Sequence, residues 1–105
     1  MNIEFSHIDV SDKSAVYDLL YRMLPDQGCI EFQRDAANKT HAWHQHQNSE
    51  TLLIIEGALD FFYEDEVRTC WPGDIIYLPS MLRHQSVASN NGCVYAIATQ
   101  LIALS

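Results

Sequence analysis

The pattern of apolar and polar positions divides the chain into one helical segment and a longer series of strands. Apolar residues at positions 16, 19, 20, 23 and 24 recur at the spacing of an amphipathic helix, which is predicted over Ala15–Leu24. Ser11 is the predicted N-cap, and Pro25 followed by Gly28 ends the helix. A short strand is predicted ahead of it over Ile3–Val10. The helix is expected to pack as a lid on the rest of the chain.

After residue 28, short apolar runs alternate with turn-forming residues, a pattern typical of an all-β sandwich or barrel. The last break contains Asn91-Gly92, which predicts a tight turn. The runs around Leu53 and Phe62 are apolar on both faces. One face is therefore expected to fill a barrel, and the other to pack against a second sheet, the helix or another subunit. The predicted strands are Cys29–Arg34, Ala42–Gln47, Thr51–Glu56, Ala58–Tyr63, Val67–Cys70, Asp74–Leu78, His84–Val87 and Cys93–Thr99.

Composition and charge exclude several functional classes. The 105 residues form a single domain with 48% hydrophobic residues and a formal net charge of −8. The only lysines are Lys13 and Lys39, and no basic cluster exists that could neutralise phosphates. Nucleic acid and anionic membrane surfaces are therefore disfavoured as partners. No apolar stretch approaches the length of a membrane span.

The cysteines and the N-terminal residues indicate a cytoplasmic protein. Cys29, Cys70 and Cys93 are odd in number and widely spaced, so a disulfide framework is not expected. The N-terminal residues lack the basic and apolar regions of a signal peptide. Cys93 is expected to be a small buried thiol.

Three histidines and one glutamate carry the candidate chemistry. His44 and His46 lie two residues apart in a predicted strand, so they share a face, and Glu50 has the same parity if the strand resumes after the polar break. His84 lies 34 positions after Glu50 in the sequence. Neutral imidazole and carboxylate are ligands of first-row divalent metals. The constellation predicts a buried mononuclear metal site, although any one of these histidines alone would be an ordinary core or surface residue.

These residues stand at the spacing of a known family motif, G-x5-H-x-H-x3-E-x6-G. Here Asn38 replaces the leading glycine, and His44, His46, Glu50 and Gly57 occupy the other positions. Asparagine is the residue that best tolerates the positive φ of a glycine.

The family's second motif is G-x5-P-x-G-x2-H-x3-N. Gly73, Pro79 and His84 match it, whereas Met81 replaces the second glycine and Ala88 the final asparagine. With both motifs, the chain resembles a small single-domain cupin, an RmlC-like jelly-roll β-barrel (a double-stranded β-helix) with a metal at its centre. The resemblance covers roughly Cys29–Thr99.

The resemblance implies a domain organisation and a ligand set. A single cupin domain is expected over residues 1–105, with an N-terminal strand and helix in residues 1–28 and the metal-binding barrel in residues 29–99. His44, His46, Glu50 and His84 are the implied ligands of one divalent transition metal per chain. The spacing does not choose among Fe, Mn, Ni, Zn and Cu.

The resemblance also implies a metal-dependent enzyme of dioxygenase, isomerase or lyase type that acts on a small organic molecule. The reaction class stays open, because no dedicated base stands out. The alternative is a non-catalytic sensor or binding module for a small molecule or a metal. The run Trp43–His46, with Glu50, Gly57 and Asn91-Gly92-Cys93, is similar to the cupin part of anti-sigma regulators.

Several other residues are candidates for a function. Trp43 has the opposite parity to the ligands and is expected to point out of the barrel, where it would help to bury a homodimer contact. His7 and His41 are expected at the surface. Arg34 is a candidate for reaching into the barrel mouth to hold an anionic substrate, and Arg83 is expected to face away.

Overall fold

The structure is a computed structural model that describes residues 2–102, and within them it consists of seven strands and one helix. The elements, in chain order, are β1 (Glu4–His7), α1 (Lys13–Met23), β2 (Glu31–Asp35), β3 (Thr40–His44), β4 (Glu50–Tyr63), β5 (Glu66–Cys70), β6 (Asp74–Leu78) and β7 (His84–Ala98). Every strand pairing is antiparallel. The predicted all-β jelly roll with a short N-terminal helix is confirmed.

The N-cap of helix α1 lies one residue later than the predicted Ser11, and the helix begins at Lys13. Asp12 is the N-cap, and its carboxylate accepts a hydrogen bond from the amide of Ala15 at 3.1 Å. Ser11 instead donates its amide and hydroxyl hydrogens to Asp9 Oδ1 in a turn before the helix. The helix ends before Pro25, as predicted. Among residues 2–102, no helix is long and apolar enough to cross a membrane.

Strands β4 and β7 are long and each takes part in both halves of the barrel. The first half of β4 pairs with β6 and with the C-terminal part of β7, and the second half pairs with β5 and the N-terminal part of β7. Strand β2 pairs with the C-terminal part of β7, whereas β3 pairs with its N-terminal part. Strand β1 completes the set beside β6. The barrel closes because these two strands bend together from one half into the other.

Two of the predicted breaks between strands are wrong. The strands predicted over residues 51–56 and 58–63 form the single strand β4, and those predicted over 84–87 and 93–99 form the single strand β7. Gly57 lies opposite Cys93 and Leu59 lies opposite Ala88, so two steps along β4 correspond to five steps along β7. The extra residues of β7 bulge at Asn91-Gly92, and the chain continues in the same direction. The positive φ of Gly92, +78°, therefore belongs to a bulge within β7 and not to a tight turn between two strands, as predicted.

Two glycines make the bend possible. A Cβ atom on Gly57, whose φ is +73°, would lie 2.1 Å from the carbonyl oxygen of Gly92. A Cβ atom on Gly92 would lie 2.7 Å from the carbonyl oxygen of Asp35. The backbones of the segments at the bend thus approach more closely than any residue with a side chain would allow.

The two faces of the sheet bury separate cores, as the runs that are apolar on both faces predict. Leu52 points into the barrel, and its neighbour Leu53 points outward against helix α1, which contributes Leu19 and Met23. The helix covers the outer face, as expected for a lid. The inner core contains Leu52, Ile54, Leu59, Phe61, Tyr63, Cys70, Ile76, Leu78, Ala88, Cys93 and Tyr95.

We predict that Gly57→Ala destabilises the fold severely, by at least about 3 kcal/mol, because the new methyl group would overlap the Gly92 carbonyl and the φ is unfavourable. Gly28→Ala is the matched control. Its φ of +129° is also unfavourable, but its Cβ would meet only Pro25 Cγ, at 3.3 Å. Urea denaturation of both variants measures the difference, and equal losses would show that the close approach at Gly57 is not what constrains the bend.

Candidate metal centre

Three histidines converge at one end of the barrel interior. His44 is the last residue of β3, His46 follows in the connection to β4, and His84 is the first residue of β7. One ligand atom from each ring lies within 4.8 Å of the others, a cluster that could hold a metal ion. The predicted strand Ala42–Gln47 extends too far towards the C-terminus, because β3 ends at His44. His46 therefore joins the cluster from the connecting segment and not through strand parity.

In two of these rings, a hydrogen bond to a backbone carbonyl group determines which ring nitrogen is free to bind a metal. His44 Nδ1 donates to the carbonyl oxygen of Ala42 at 2.6 Å, and His84 Nδ1 donates to that of Leu82 at 2.8 Å. A carbonyl can only accept, so both rings carry their proton on Nδ1 and present the Nε2 lone pair. Ligand histidines in metal sites are oriented by this kind of hydrogen bond. The donor set therefore fits a divalent transition metal.

The turns that precede the histidines keep the glycine conformation without glycine. Asn38 has φ +63°, and Met81 has φ +66°, each at a position where the family motif has glycine. The amide of Met81 donates to the carbonyl oxygen of His46 at 2.7 Å, which ties the loop before His84 to the connection that carries His46. Both substituted positions of the motif therefore adopt the left-handed backbone conformation that glycine favours.

Glu50 lies beside this cluster but outside it. It is the first residue of β4, it lines the same cavity, and its Oε1 is 3.7 Å from His46 Nε2. Burial raises the pKa of the Glu50 carboxyl, while the neighbouring His46 and His44 oppose that shift. A cation bound next to the carboxylate would favour its ionised form.

The cavity in front of the histidines has a volume of about 220 Å³. Its walls divide into an apolar part, a polar part and the candidate metal ligands. Apart from His44, His46, Glu50 and His84, the lining residues are Gln33, His41, Leu52, Leu59, Phe61, Leu78, Ser86, Tyr95 and Ile97. The ring of Phe61 stacks on that of His84, with centroids 5.2 Å apart and planes 14° apart. No lysine or arginine is among the described lining residues.

The expected surface position of His41 is wrong. His41 lies opposite Ser86, and His44 lies opposite His84, so three steps along β3 match two along β7. This bulge cancels the alternation and turns both histidines to the cavity. No signal in the sequence marks the bulge, which is why simple parity placed His41 outside.

Asp35 lies behind His41 and was not identified from the sequence. It is 4% exposed and accepts hydrogen bonds from Gln33 Nε2 at 3.0 Å, His41 Nε2 at 3.0 Å and the hydroxyl of Tyr95 at 2.9 Å. Burial opposes ionisation of the carboxyl, but these hydrogen bonds outweigh it and lower the pKa of Asp35. Strand alternation from Asp35 turns Arg34 outward to an exposed position, so the expected reach of Arg34 into the barrel mouth is wrong.

Residues of the opposite parity lie outside the barrel, as expected. Trp43 is 39% exposed, and Gln45 and Gln47 are exposed beside it. His7 is exposed and pairs with Asp74, with Nδ1 and Oδ1 2.7 Å apart.

The three cysteines are free thiols. Cys93 is buried, as expected, and burial raises its pKa to about 12. Burial raises the pKa of the Cys70 thiol to about 12 as well. Both thiols therefore stay protonated and are packing residues of the inner core.

Comparison with known proteins agrees with the fold and the two motifs. The family model described as "Cupin domain" matches residues 31–97, and the chain therefore belongs to the cupin family. No functionally curated protein matches the chain in sequence.

Solved structures share the fold at low sequence identity. A cupin-2 domain protein from Shewanella frigidimarina has 20% identity and a TM-score of 0.59, over 89% of this chain and 94% of that chain. A cupin superfamily protein from Desulfitobacterium hafniense has 14% identity and a TM-score of 0.61, over 97% and 79%. A DUF861 family protein from Thermotoga maritima has 15% identity and a TM-score of 0.63, over 91% and 97%. This chain is thus a small cupin with a three-histidine cluster that could hold a metal ion.

We predict that the metal-free protein loses stability as the pH falls from about 6.5 to about 4. Burial lowers the pKa of His84 to about 4, whereas an unfolded histidine titrates near about 6.5. Between these values the unfolded chain binds more protons, so the free energy of unfolding decreases with decreasing pH. Denaturation of metal-free protein across this range measures the slope.

A His84→Asn variant should show a flatter dependence, because it lacks the buried group that must stay neutral. His7→Asn, which removes an exposed histidine, should keep the slope of the original protein. If His84→Asn and the original protein had the same slope, His84 would not be the group responsible.

Proposed function

We propose that this cupin binds one divalent transition metal per chain through His44, His46, Glu50 and His84, and that it is a metalloenzyme acting on a small organic molecule. The observation that supports the metal most strongly is the orientation of the histidines. Two of the three rings donate Nδ1–H to a backbone carbonyl and thereby present Nε2 at the centre of the cluster. Glu50 would supply a carboxylate at the edge of the same cluster.

The open side of the centre favours catalysis over a purely structural metal. Three imidazoles and one carboxylate leave one or two positions of a five- or six-coordinate ion for water or substrate. The neighbouring cavity of about 220 Å³ has room for a molecule of roughly ten non-hydrogen atoms. When bound, the metal would act as a Lewis acid on an oxygen of that molecule.

The cavity walls offer a bound molecule both apolar and polar contacts. Leu52, Phe61 and Leu78 form apolar surface against which the carbon skeleton of a substrate would pack. Gln33 and Ser86 offer hydrogen bonds on the polar side. Because no lysine or arginine of residues 2–102 lines the cavity, we expect a substrate whose metal-binding group is a carbonyl, hydroxyl or single carboxylate and not a phosphate ester.

Metal analysis of untagged protein, purified without chelator or added metal, tests the proposal. We expect near-stoichiometric metal in the original protein and its loss in His46→Ala, because the cluster then has two imidazoles in place of three. Gln45→Ala is the matched control, since Gln45 is the exposed neighbour of His46 and should leave the metal content unchanged. Iron would point to an oxygenase, and manganese, nickel or zinc to an isomerase or a lyase.

Two other outcomes would redirect the proposal. Absence of metal from the original protein, with no uptake when metal is added, would contradict a metal centre of any kind. Stoichiometric metal that His46→Ala removes, together with ligand binding but no turnover of any bound molecule, would favour a sensor module over an enzyme.

We also propose that the protein is a cytoplasmic homodimer. Free thiols at Cys29, Cys70 and Cys93 agree with a reducing compartment. Trp43 lies exposed over a surface groove with Leu82, Arg83 and Glu64. A large exposed aromatic side chain next to a groove is typical of a protein contact.

We predict that Trp43→Ala lowers the molar mass in solution from that of a dimer to that of a monomer, because the contact would lose its aromatic anchor. Light scattering on a size-exclusion column measures the mass. Trp71→Ala is the control, since Trp71 is 60% exposed but lies at the connection between β5 and β6. A dimer that survives Trp43→Ala, or an original protein that is monomeric, would contradict this contact.

A further inference from the structure

The histidines of the cavity differ in which ring nitrogen is hydrogen-bonded to another group of the protein. His44 and His84 use Nδ1 for a backbone carbonyl and present Nε2. His41 uses Nε2 for the carboxylate of Asp35, at 3.0 and 3.1 Å from its two oxygens. His41 is also not a member of the three-histidine cluster. It lies on the same cavity wall without being arranged as a metal ligand.

The protonation of the His41 ring follows from its surroundings. An unprotonated Nε2 would direct its lone pair at the oxygens of an ionised carboxylate, which is unfavourable, so Nε2 carries the hydrogen and donates it to Asp35. Gln33 Nε2 also donates to Asp35. It lies 3.3 Å from His41 Nε2, but both of these nitrogens donate to Asp35, so their contact with each other is not a hydrogen bond. Within residues 2–102, Nδ1 of His41 has no hydrogen-bond partner. The free lone pair of the ring is therefore on Nδ1.

Asp35 is built to remain an anion behind this ring. It is 4% exposed and accepts hydrogen bonds from three side chains, those of Gln33, His41 and Tyr95. A buried carboxylate hydrogen-bonded to one nitrogen of a histidine holds the ring in a single tautomer and stabilises the imidazolium that forms when the other nitrogen gains a proton. His41, with 31% of its side chain exposed, faces the cavity and so can meet a ligand.

We propose that His41, with Nε2 held by Asp35, accepts a proton at Nδ1 from the molecule bound in this cavity, which makes His41 a general acid–base and Asp35 its positioning residue. The assignment rests on the proposed function, because the bound molecule is the one that the metal centre holds. In the transfer, an O–H or C–H bond of the ligand breaks, its electron pair stays on the ligand, and an N–H bond forms on Nδ1. No electron leaves either partner, so the assignment favours proton-transfer chemistry of isomerase or lyase type.

Isothermal titration calorimetry with a simple acid probe tests this assignment. Zn(II)-loaded protein is titrated with acetohydroxamic acid at about pH 7.5, where a free histidine is mainly neutral. The titration is repeated in two buffers of different ionisation enthalpy, and the difference in heat gives the protons released to the buffer. When the probe binds as its anion, its proton goes either to His41 or to the buffer.

We expect the original protein to release about one proton fewer per bound probe than His41→Asn, because one imidazole accepts one proton. Affinity for the probe should fall by about tenfold or more in the variant, which lacks the charged hydrogen bond. His7→Asn is the matched control, since His7 is also paired with an aspartate but lies exposed on β1, outside the cavity. It should release the same number of protons as the original protein.

A second measurement tests the role of Asp35. Nitrogen-15 spectra of the histidine rings should show His41 protonated on Nε2 alone, and Asp35→Asn should mix the two tautomers and increase proton release towards that of His41→Asn. If Asp35→Asn does not fold, the spectrum of the original protein still decides, because a proton on Nδ1 of His41 in the free protein would overturn the proposal.

The remaining outcomes separate this assignment from the metal proposal. Equal proton release by the original protein and His41→Asn, with one Zn(II) bound in each, would overturn the role of His41 and leave the metal centre intact. Failure of the original protein to retain Zn(II) would contradict the proposed function, and the assignment of His41 would fail with it.

Discussion

The pairing of β4 with β7, with its change of register at Gly57, positions all the other strands except β1. The two strands run together through both halves of the barrel, and the register differs on the two sides of the bend. On one side of the bend β4 pairs with β6 and β7 pairs with β2, and on the other side β4 pairs with β5 and β7 pairs with β3. The close approach of Gly57 to the Gly92 carbonyl is what lets the pair bend without separating.

This bend also determines where the candidate site lies. His84, at the start of β7, is opposite Tyr63 at the end of β4, and β3 brings His44 to the other side of His84. The rings of His44 and His84 are consequently 4.3 Å apart between centroids, although the residues are far apart in the sequence. Helix α1 takes no part in this arrangement. It covers the outer face of the sheet and leaves the barrel interior to the site.

The cavity combines polar and apolar groups in a small space, and its most deeply buried polar groups are hydrogen-bonded. Among the described residues that are not exposed, no buried side-chain nitrogen or oxygen atom lacks a hydrogen-bond partner. Backbone carbonyl groups accept hydrogen bonds from Nδ1 of His44 and His84, and side chains donate hydrogen bonds to Asp35. Because a half-satisfied polar network would destabilise the barrel, this pairing lets an otherwise apolar core contain the polar candidate site.

The family, the element types and the candidate ligands could all be predicted from the order of the residues along the chain. His44, His46, Glu50 and His84 stand at a fixed spacing, and spacing along a chain is a property of the sequence alone. Even the replaced glycines were interpretable, since Asn38 adopts the positive φ that its position demands.

Features that depend on pairing between distant strands could not be predicted in this way. The four predicted strands that merge into β4 and β7, the placement of His41 and the orientation of Arg34 all changed because of register and bulges. The network around Asp35 joins residues up to 60 positions apart, and no local pattern records that contact. Local propensity determines which elements form, whereas a bulge of one residue, which reverses every following side chain, is chosen by the partner strand.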